Sequence, residues 1–268
     1  IISQFSSIVV NIVLARLLFP EDFGLIALAT TIIGFIIMFT SIGFGSSIIY
    51  ERKSTHTQLS SLYWLNYITS IFTFILVVLS ANFGAKFYNE PELLYVIWLS
   101  SLSILINPLF TIQYKLKERD IEFKLLTKIN VSSTIIGSIA AIIGAFSGLG
   151  VYALVLQSLI SNTTKMLLVL LKTEWRPSLI FKFKEIKHMV WYSAKFKLSS
   201  SILYLDRNID YLILGKLFPV TSIGYYAFSY NIMYTPVKKI SGIFSDLLFP
   251  SFSVIKNEHS KIILGYFK

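Results

Sequence analysis

The chain is expected to fold as an all-α polytopic membrane protein, a six-helix transmembrane bundle followed by the first hairpin of a second bundle. Three observations predict this. Of 268 residues, 54% are hydrophobic and only 14% charged, against about 25% charged in an ordinary soluble domain. The apolar residues come in long runs, and mean hydropathy is +0.69. The basic residues behind the net charge of +10 are clumped between those runs, as in loops that flank membrane spans and unlike a nucleic-acid-binding face. So few charges cannot cover a water-facing surface, which argues against a soluble globular enzyme, and the apolarity excludes disorder. With no cysteine, there is no disulfide, thiolate metal site or cysteine nucleophile. His56, His188 and His259 are far apart and match no metal-ligand spacing. No cofactor, metal or nucleic-acid partner is expected.

A membrane-spanning helix needs about 20 mostly apolar residues, and about eight runs qualify by that measure. The first is 1–18, closed by Phe19-Pro20-Glu21-Asp22, and the second 23–49, followed by Glu51-Arg52-Lys53. The third, 62–81, ends at Asn89-Glu90-Pro91, and the fourth, 93–112, precedes a charged loop from Lys115 to Lys124. The fifth (125–146) and sixth (151–171) are joined by Ser147-Gly148-Leu149-Gly150, a turn short enough to force an antiparallel hairpin. Residues 172–189, with Phe181-Lys182-Phe183-Lys184, suggest an amphipathic helix on the membrane surface. A polar seventh span covers 190–214, and an eighth covers 222–249 before Pro250. The expected domains are therefore a first bundle at 1–172, a cytoplasmic amphipathic linker at 173–189 and the start of a second bundle at 190–268. Ile1 is not a methionine and lies inside an apolar run, and the chain stops at Gly265-Tyr266-Phe267-Lys268 without a stop signal. That reads as an internal fragment of a longer protein.

Loop charges set the orientation. Loops after spans two, four and six hold eleven basic residues, Arg52, Lys53, Lys115, Lys117, Arg119, Lys124, Lys172, Arg176, Lys182, Lys184 and Lys187. The other side has three, Arg16, Lys86 and Lys216. The even-numbered loops are expected in the cytoplasm.

An internal repeat is visible. Leu14-Ala15-Arg16-Leu17-Leu18-Phe19-Pro20 with Phe23-Gly24-Leu25 matches Leu214-Gly215-Lys216-Leu217-Phe218-Pro219 with Ile223-Gly224-Tyr225. Pro20 and Pro219 are 199 positions apart, Gly24 and Gly224 are 200, and Gly43 and Gly242 are again 199. The copies are six spans apart and keep one orientation, as in transporters built from parallel repeats.

The stretch Leu14 to Leu25, LARLLFPEDFGL, also resembles an element of polysaccharide exporters in the multidrug/oligosaccharidyl-lipid/polysaccharide (MOP) superfamily. Asp206-Arg207-Asn208-Ile209-Asp210, with Gly224-Tyr225-Tyr226 and Leu248-Phe249-Pro250, is similar to that family's entry into its second bundle. The likeness covers essentially the whole chain and points to the Wzx-type lipid-linked oligosaccharide flippases, close to colanic or teichuronic acid exporters. It implies a MATE/MurJ-like pair of six-helix bundles in a V, in a protein with about twice the spans seen here. It also implies outward transfer of undecaprenyl-pyrophosphate-linked repeat units for O-antigen, capsule or exopolysaccharide, by alternating access. The implied partners are that anionic lipid-linked oligosaccharide, membrane lipids, and glycan polymerase or assembly proteins.

Ionisable residues inside the spans are the candidate site. They are Lys128, Lys165, Lys195, Lys197, Arg207, Lys238 and Lys239, with Asp206, Asp210 and Asp246. Each costs about 2.5–3.5 kcal/mol at a helix centre, so they should face protein or a wet cavity. Lys128 sits near a helix end, from which snorkelling also explains it, and Lys165 lies deeper. Lys195 and Lys197 open the seventh span and read as interfacial. Lys238 and Lys239 follow Pro236 near the middle of span eight and are the strongest cationic signal. The expected substrate-binding cations are Lys165, Arg207, Lys238, Lys239 and Lys128. Tyr230 and Tyr234, with Tyr225 and Tyr226, either stack on sugar rings or pack the bundle. Asp206 and Asp210, one helical turn apart, form either an ion-pair patch with Arg207 or a proton or sodium coupling site.

Cations outnumber acids in these spans, which disfavours a drug or cation exporter. A membrane-embedded glycan polymerase or ligase would need a large outer loop, and the longest seen, around Gly84-Ala85-Lys86, is too short for one. No enzymatic chemistry is expected.

Overall fold

A computed structural model describes residues 10, 12–51 and 53–233 of the chain. The described residues form helices and connecting segments, with no strand among them. In chain order the helices are α1 (Pro20–Thr40), α2 (Gly45–Tyr50), α3 (His56–Tyr88) and α4 (Leu93–Ile106), then α5 (Pro108–Arg119), α6 (Phe123–Phe146), α7 (Val151–Lys172) and α8 (Phe183–Leu217). Residues 12–17 and 220–233 are helical too. By length and composition α1, α3, α6 and α7 can each cross a membrane, and α4 with α5, bent by 50°, makes a fifth span if the pair is counted as one. The chain is a multi-pass membrane protein.

Local chemistry fixes the helix ends. Pro20 occupies the first turn of α1, where its missing N–H leaves no bond unmade, and the Asp22 carboxylate accepts the Phe19 amide at 2.9 Å. Thr55 and Gln58 cap α3 reciprocally, at 3.2 and 2.8 Å. Asn89 ends α3 in the left-handed region, at φ 59°, a conformation in which asparagine is among the most tolerated non-glycine residues. The central core joins Leu28 and Ala29 of α1, Val77 and Ala81 of α3, Val96 and Ile97 of α4, Val155 of α7 and Tyr211 of α8. Large apolar side chains also point outward, Phe72, Leu79 and Phe83 of α3 among them. In lipid that exposure carries no hydrophobic cost, and helices associate through close packing instead.

Three segments differ from the boundaries expected from sequence, each for an identifiable reason. The second apolar run is not one helix: α1 stops at Thr40, and Gly43, at φ +71°, turns the chain into the short α2. The fourth breaks at Asn107-Pro108, because Pro108 has no N–H to continue the ladder, and the helix resumes past Ile112 to Arg119. Residues 173–182 are not helical, and α8 then runs unbroken from Phe183 through the seventh run. That extended strap is held on α3: Trp64 Nε1 donates to the Ser178 carbonyl at 2.8 Å, and the Ser178 amide donates to Ser60 Oγ at 3.1 Å.

The helices alternate in direction, so the molecule has two ends. One end carries α2, the start of α3, the α5–α6 turn and the strap, and with them the basic loops. The far end carries the starts of α1 and α7, the ends of α3 and α8, and residues 218–220. There the two copies of the repeated motif meet. A Cβ on Gly24 would collide with the Val220 carbonyl, and one on Gly224 with the Pro20 carbonyl. Each glycine thus lies on the opening turn of the other copy, with Thr221 donating to Glu21 at 3.0 Å beside them. Gly242, the counterpart of Gly43, lies outside the described residues.

Candidate functional site

Both helix breaks open into one cleft of about 370 Å³ at the basic end. Ser41, Gly43, Gly45 and Ser46 line it from the first break, and Asn107, Pro108, Thr111 and Lys115 from the second. Asn66 and Ser70 of α3 and Lys197 and Ser200 of α8 complete the wall. At the start of α5 the Asn107 carbonyl accepts the Thr111 hydroxyl at 2.7 Å beside the ordinary helical bond from the Thr111 amide at 3.2 Å.

Two ammonium groups belong to this cleft. The Lys115 stem passes against Gly45, where a Cβ would stand 2.8 Å from its Cε, and its Nζ donates to Glu118 at 2.7 Å. Lys197 lies along Gly43, with its Cβ and Cδ 3.7 and 3.8 Å from where a Cβ would be. Gly45, with no Cβ, makes room for the Lys115 stem, whereas Lys197 lies at ordinary contact distance from the turn at Gly43. A second cleft of about 260 Å³ shares Lys115 and adds Tyr114, Glu118, Thr127 and Asn130. Asn130 donates to the Tyr114 hydroxyl at 2.8 Å. Lys165 stands over the Tyr114 ring, 4.9 Å from its centroid, a cation–π contact, and within electrostatic reach of Lys115 and Glu118.

The residues singled out from sequence are thus spread over the molecule. Lys165 joins the Lys115 group. Lys128 is exposed on α6, and Asp206 and Arg207 are exposed on α8. Lys195 is exposed with its ammonium 5.7 Å from the Trp191 ring. Asp210 is half-buried and accepts the Tyr226 hydroxyl, as well as the Tyr211 amide at 2.9 Å. Tyr230 stacks on Tyr226 at 6.0 Å and meets Tyr211 edge-on at 6.4 Å. Asp210 lies 13 residues beyond Lys197 on the same helix, about 20 Å by helical rise, so this acid and its tyrosines belong to the far half. Tyr234, Pro236, Lys238, Lys239 and Asp246 lie outside the described residues.

Sequence reasoning missed Lys115, which it placed in a loop, and took Lys197 as interfacial. The signal for Lys115 was Asn107-Pro108: a bend there carries the helix past Ile112 and turns Lys115 back against α2. Asn66 and Ser70, polar residues within an apolar run, were a second unused signal.

This is a recess lined by polar side chains and two lysines at the ends of interrupted helices. Residues 13–268 match the family model described as "Polysaccharide biosynthesis protein". Over 227 residues the chain is 30% identical to the teichuronic acid biosynthesis protein TuaB of Bacillus subtilis (strain 168), covering 84% of this chain and 47% of that protein. It is 26% identical to the lipopolysaccharide biosynthesis protein WzxC of Escherichia coli (strain K12), over 96% of this chain and 52% of that one. The succinoglycan biosynthesis transport protein ExoT of Rhizobium meliloti (strain 1021) is 20% identical, over 93% and 50%. The chain spans about half the length of these relatives. No solved structure matches it. The motif at Leu14 to Leu25, the helix-only fold and the extent of these matches make the chain a Wzx-type member of the polysaccharide biosynthesis protein family.

Proposed function

We propose that the chain is the first bundle, with the opening of the second, of a flippase that moves lipid-linked anionic oligosaccharide units outward across the bacterial cytoplasmic membrane. The basic end faces the cytoplasm and the pyrophosphate-linked headgroup enters the cleft there. Transfer proceeds by alternating access: the recess opens at the basic end while the two motif copies shut the far end. The six-helix bundles, the linker at 173–189 and a polymerase partner downstream belong to the same reading, as do Lys238 and Lys239.

The observation that carries the proposal is the placement of Lys115 and Lys197 at one recess formed by two broken helices. Opposite unit charges 4 Å apart attract by about 4 kcal/mol at an effective dielectric of 20. A diphosphate offers charge for both lysines, and flexible ammonium groups can follow it as it moves. Lys165 is the next cation beyond Lys115 and a reserve contact. Asp210, engaged by Tyr226 and the Tyr211 amide, acts as a lock between α8 and the following helix rather than as an ion-coupling group, and Tyr230 packs that lock.

The test is the K115Q/K197Q variant of the full-length protein in cells lacking their own exporter. Surface glycan should be lost, on the order of a hundredfold, if the pair provides more than about 2.7 kcal/mol of headgroup binding, with membrane insertion and expression intact. Normal surface glycan in that variant overturns the site.

A further inference from the structure

We propose that the strap between α7 and α8 and the face of α3 beneath it bind an anionic bilayer phospholipid at the basic end of the membrane. The strap is irregular backbone, yet Leu179, Ile180 and Phe181 are turned outward from it, and Leu179 is 89% exposed. Several of its own polar groups are taken by α3. Besides the bonds to Trp64 and Ser60, the Lys182 amide donates to Ser61 Oγ at 3.0 Å. With these groups paired on α3, the strap is anchored at the membrane boundary, where unpaired backbone is costly in lipid.

The three apolar side chains, together with Trp64 and Ile68, form a groove of about 340 Å³. The groove opens onto a continuous stripe. Ile68, Phe72, Ile75, Leu79 and Phe83 recur at three- and four-residue intervals on one side of α3, and all are exposed. That stripe is the lipid-facing side of a membrane-spanning helix, so an acyl chain lying along it runs directly into the groove. α3 has 33 residues, about 50 Å at 1.5 Å per residue, some 20 Å more than the hydrocarbon core. Trp64, two turns from its start, therefore falls at the interfacial level where tryptophan is enriched.

Charge selects the headgroup. Lys182 and Lys184 follow Phe181 closely in the chain and are exposed, and Lys187 is exposed one turn further along α8. Lys182 also pairs with Glu185 at 3.1 Å. Basic clusters beside a membrane surface attract acidic lipids. The occupant is a phospholipid with an acidic headgroup, and the site does not depend on what the protein transports.

A photoreactive benzoylphenylalanine in place of Leu179, in the full-length protein, tests this in vesicles of phosphatidylcholine with a minority of phosphatidylglycerol. After illumination, phosphatidylglycerol should be cross-linked at least about threefold above its mole fraction. The same probe at Leu79, on the stripe but away from the lysines, should sample both lipids in proportion. K182Q/K184Q should bring position 179 down to the value at 79. Equal ratios at the two positions, an enrichment that survives K182Q/K184Q, or cross-links from 179 to protein alone would each overturn the proposal.

Discussion

The two ends of this molecule solve opposite problems with the same small set of residue types. At the basic end the helices are interrupted, at Ser41 to Phe44 and at Asn107-Pro108, and polar side chains with two lysines gather at the gaps. At the far end they are interrupted too, at Leu18-Phe19 and Phe218-Pro219, but there Gly24 and Gly224 let one backbone touch another so closely that no side chain fits between. Glycine serves both, at Gly43 by adopting a positive φ and at Gly24 by having no Cβ. At the basic end the cut is filled by polar side chains and two lysines around an open cleft. At the far end the cut is closed by one backbone lying on another, beside a separate cavity lined by Glu90 and Lys216. Openness here follows from what fills the gap where the hydrogen-bond ladder is cut, polar side chains at one end and a second backbone at the other.

The comparison is most directly broken by filling the far end. In G24V/G224V each added side chain meets a carbonyl of the other copy, and overpacking of this kind costs about 1–3 kcal/mol per site. The far end should then stay parted. Because this chain contains no cysteine, S41C reports on the cleft in an otherwise unlabelled segment. A membrane-impermeant maleimide added from the outer side should label S41C rapidly in the valine variant and slowly without it, and export should fail. Unchanged labelling would mean that the motif copies do not form the closure.

A smaller effect is expected from mending a break. Alanine at position 108 restores an N–H and removes the ring that forces the bend. P108A should straighten α4 into α5, draw Lys115 away from Gly45 and lower export several-fold, while expression and melting temperature stay close to wild type. A loss of folding instead would show that the bend supports the bundle rather than the cleft.

How much of this was legible in the sequence depends on range. Membrane character, the α6–α7 hairpin and the family likeness followed from local patterns such as apolar runs, Gly148 to Gly150 and the Leu14 to Leu25 motif. The repeat was also visible, as paired prolines and glycines, but not that its copies touch each other, because contact across 200 positions leaves no mark on periodicity. The cleft was least legible. Lys115 was assigned by distance from an assumed helix end, and Pro108 had moved that end by two turns. Lys165 could be weighed alone but not placed beside Tyr114 and Lys115, since that neighbourhood is made by α5 and α7 crossing. The strap was misjudged for a related reason: Phe181-Lys182-Phe183-Lys184 has the composition of a surface helix, but Pro177 and the serine and tryptophan side chains of α3 hold the preceding residues extended.

The smallest effect concerns acidity at the far end. Glu90 follows α3, its amide bonded to the Ala85 carbonyl at 3.0 Å, and it lines a cavity of about 310 Å³ with Tyr88, Lys216 and Pro219. Lys216 is engaged with the Phe87 carbonyl at 2.7 Å. Burial, with Glu21 and Glu92 adding like charge, raises the Glu90 carboxyl above its ordinary value. A carboxyl raised on folding holds its proton more tightly in the native state. Its share of stability is therefore present at low pH and is lost as pH rises from the unfolded value through the folded one. The detergent-solubilised protein should melt at a slightly higher temperature near pH 4 than this group alone would allow near pH 7, and E90Q, neutral throughout, should flatten that part of the slope. If E90Q leaves the slope unchanged, the dependence belongs to other carboxylates and Glu90 is solvated after all.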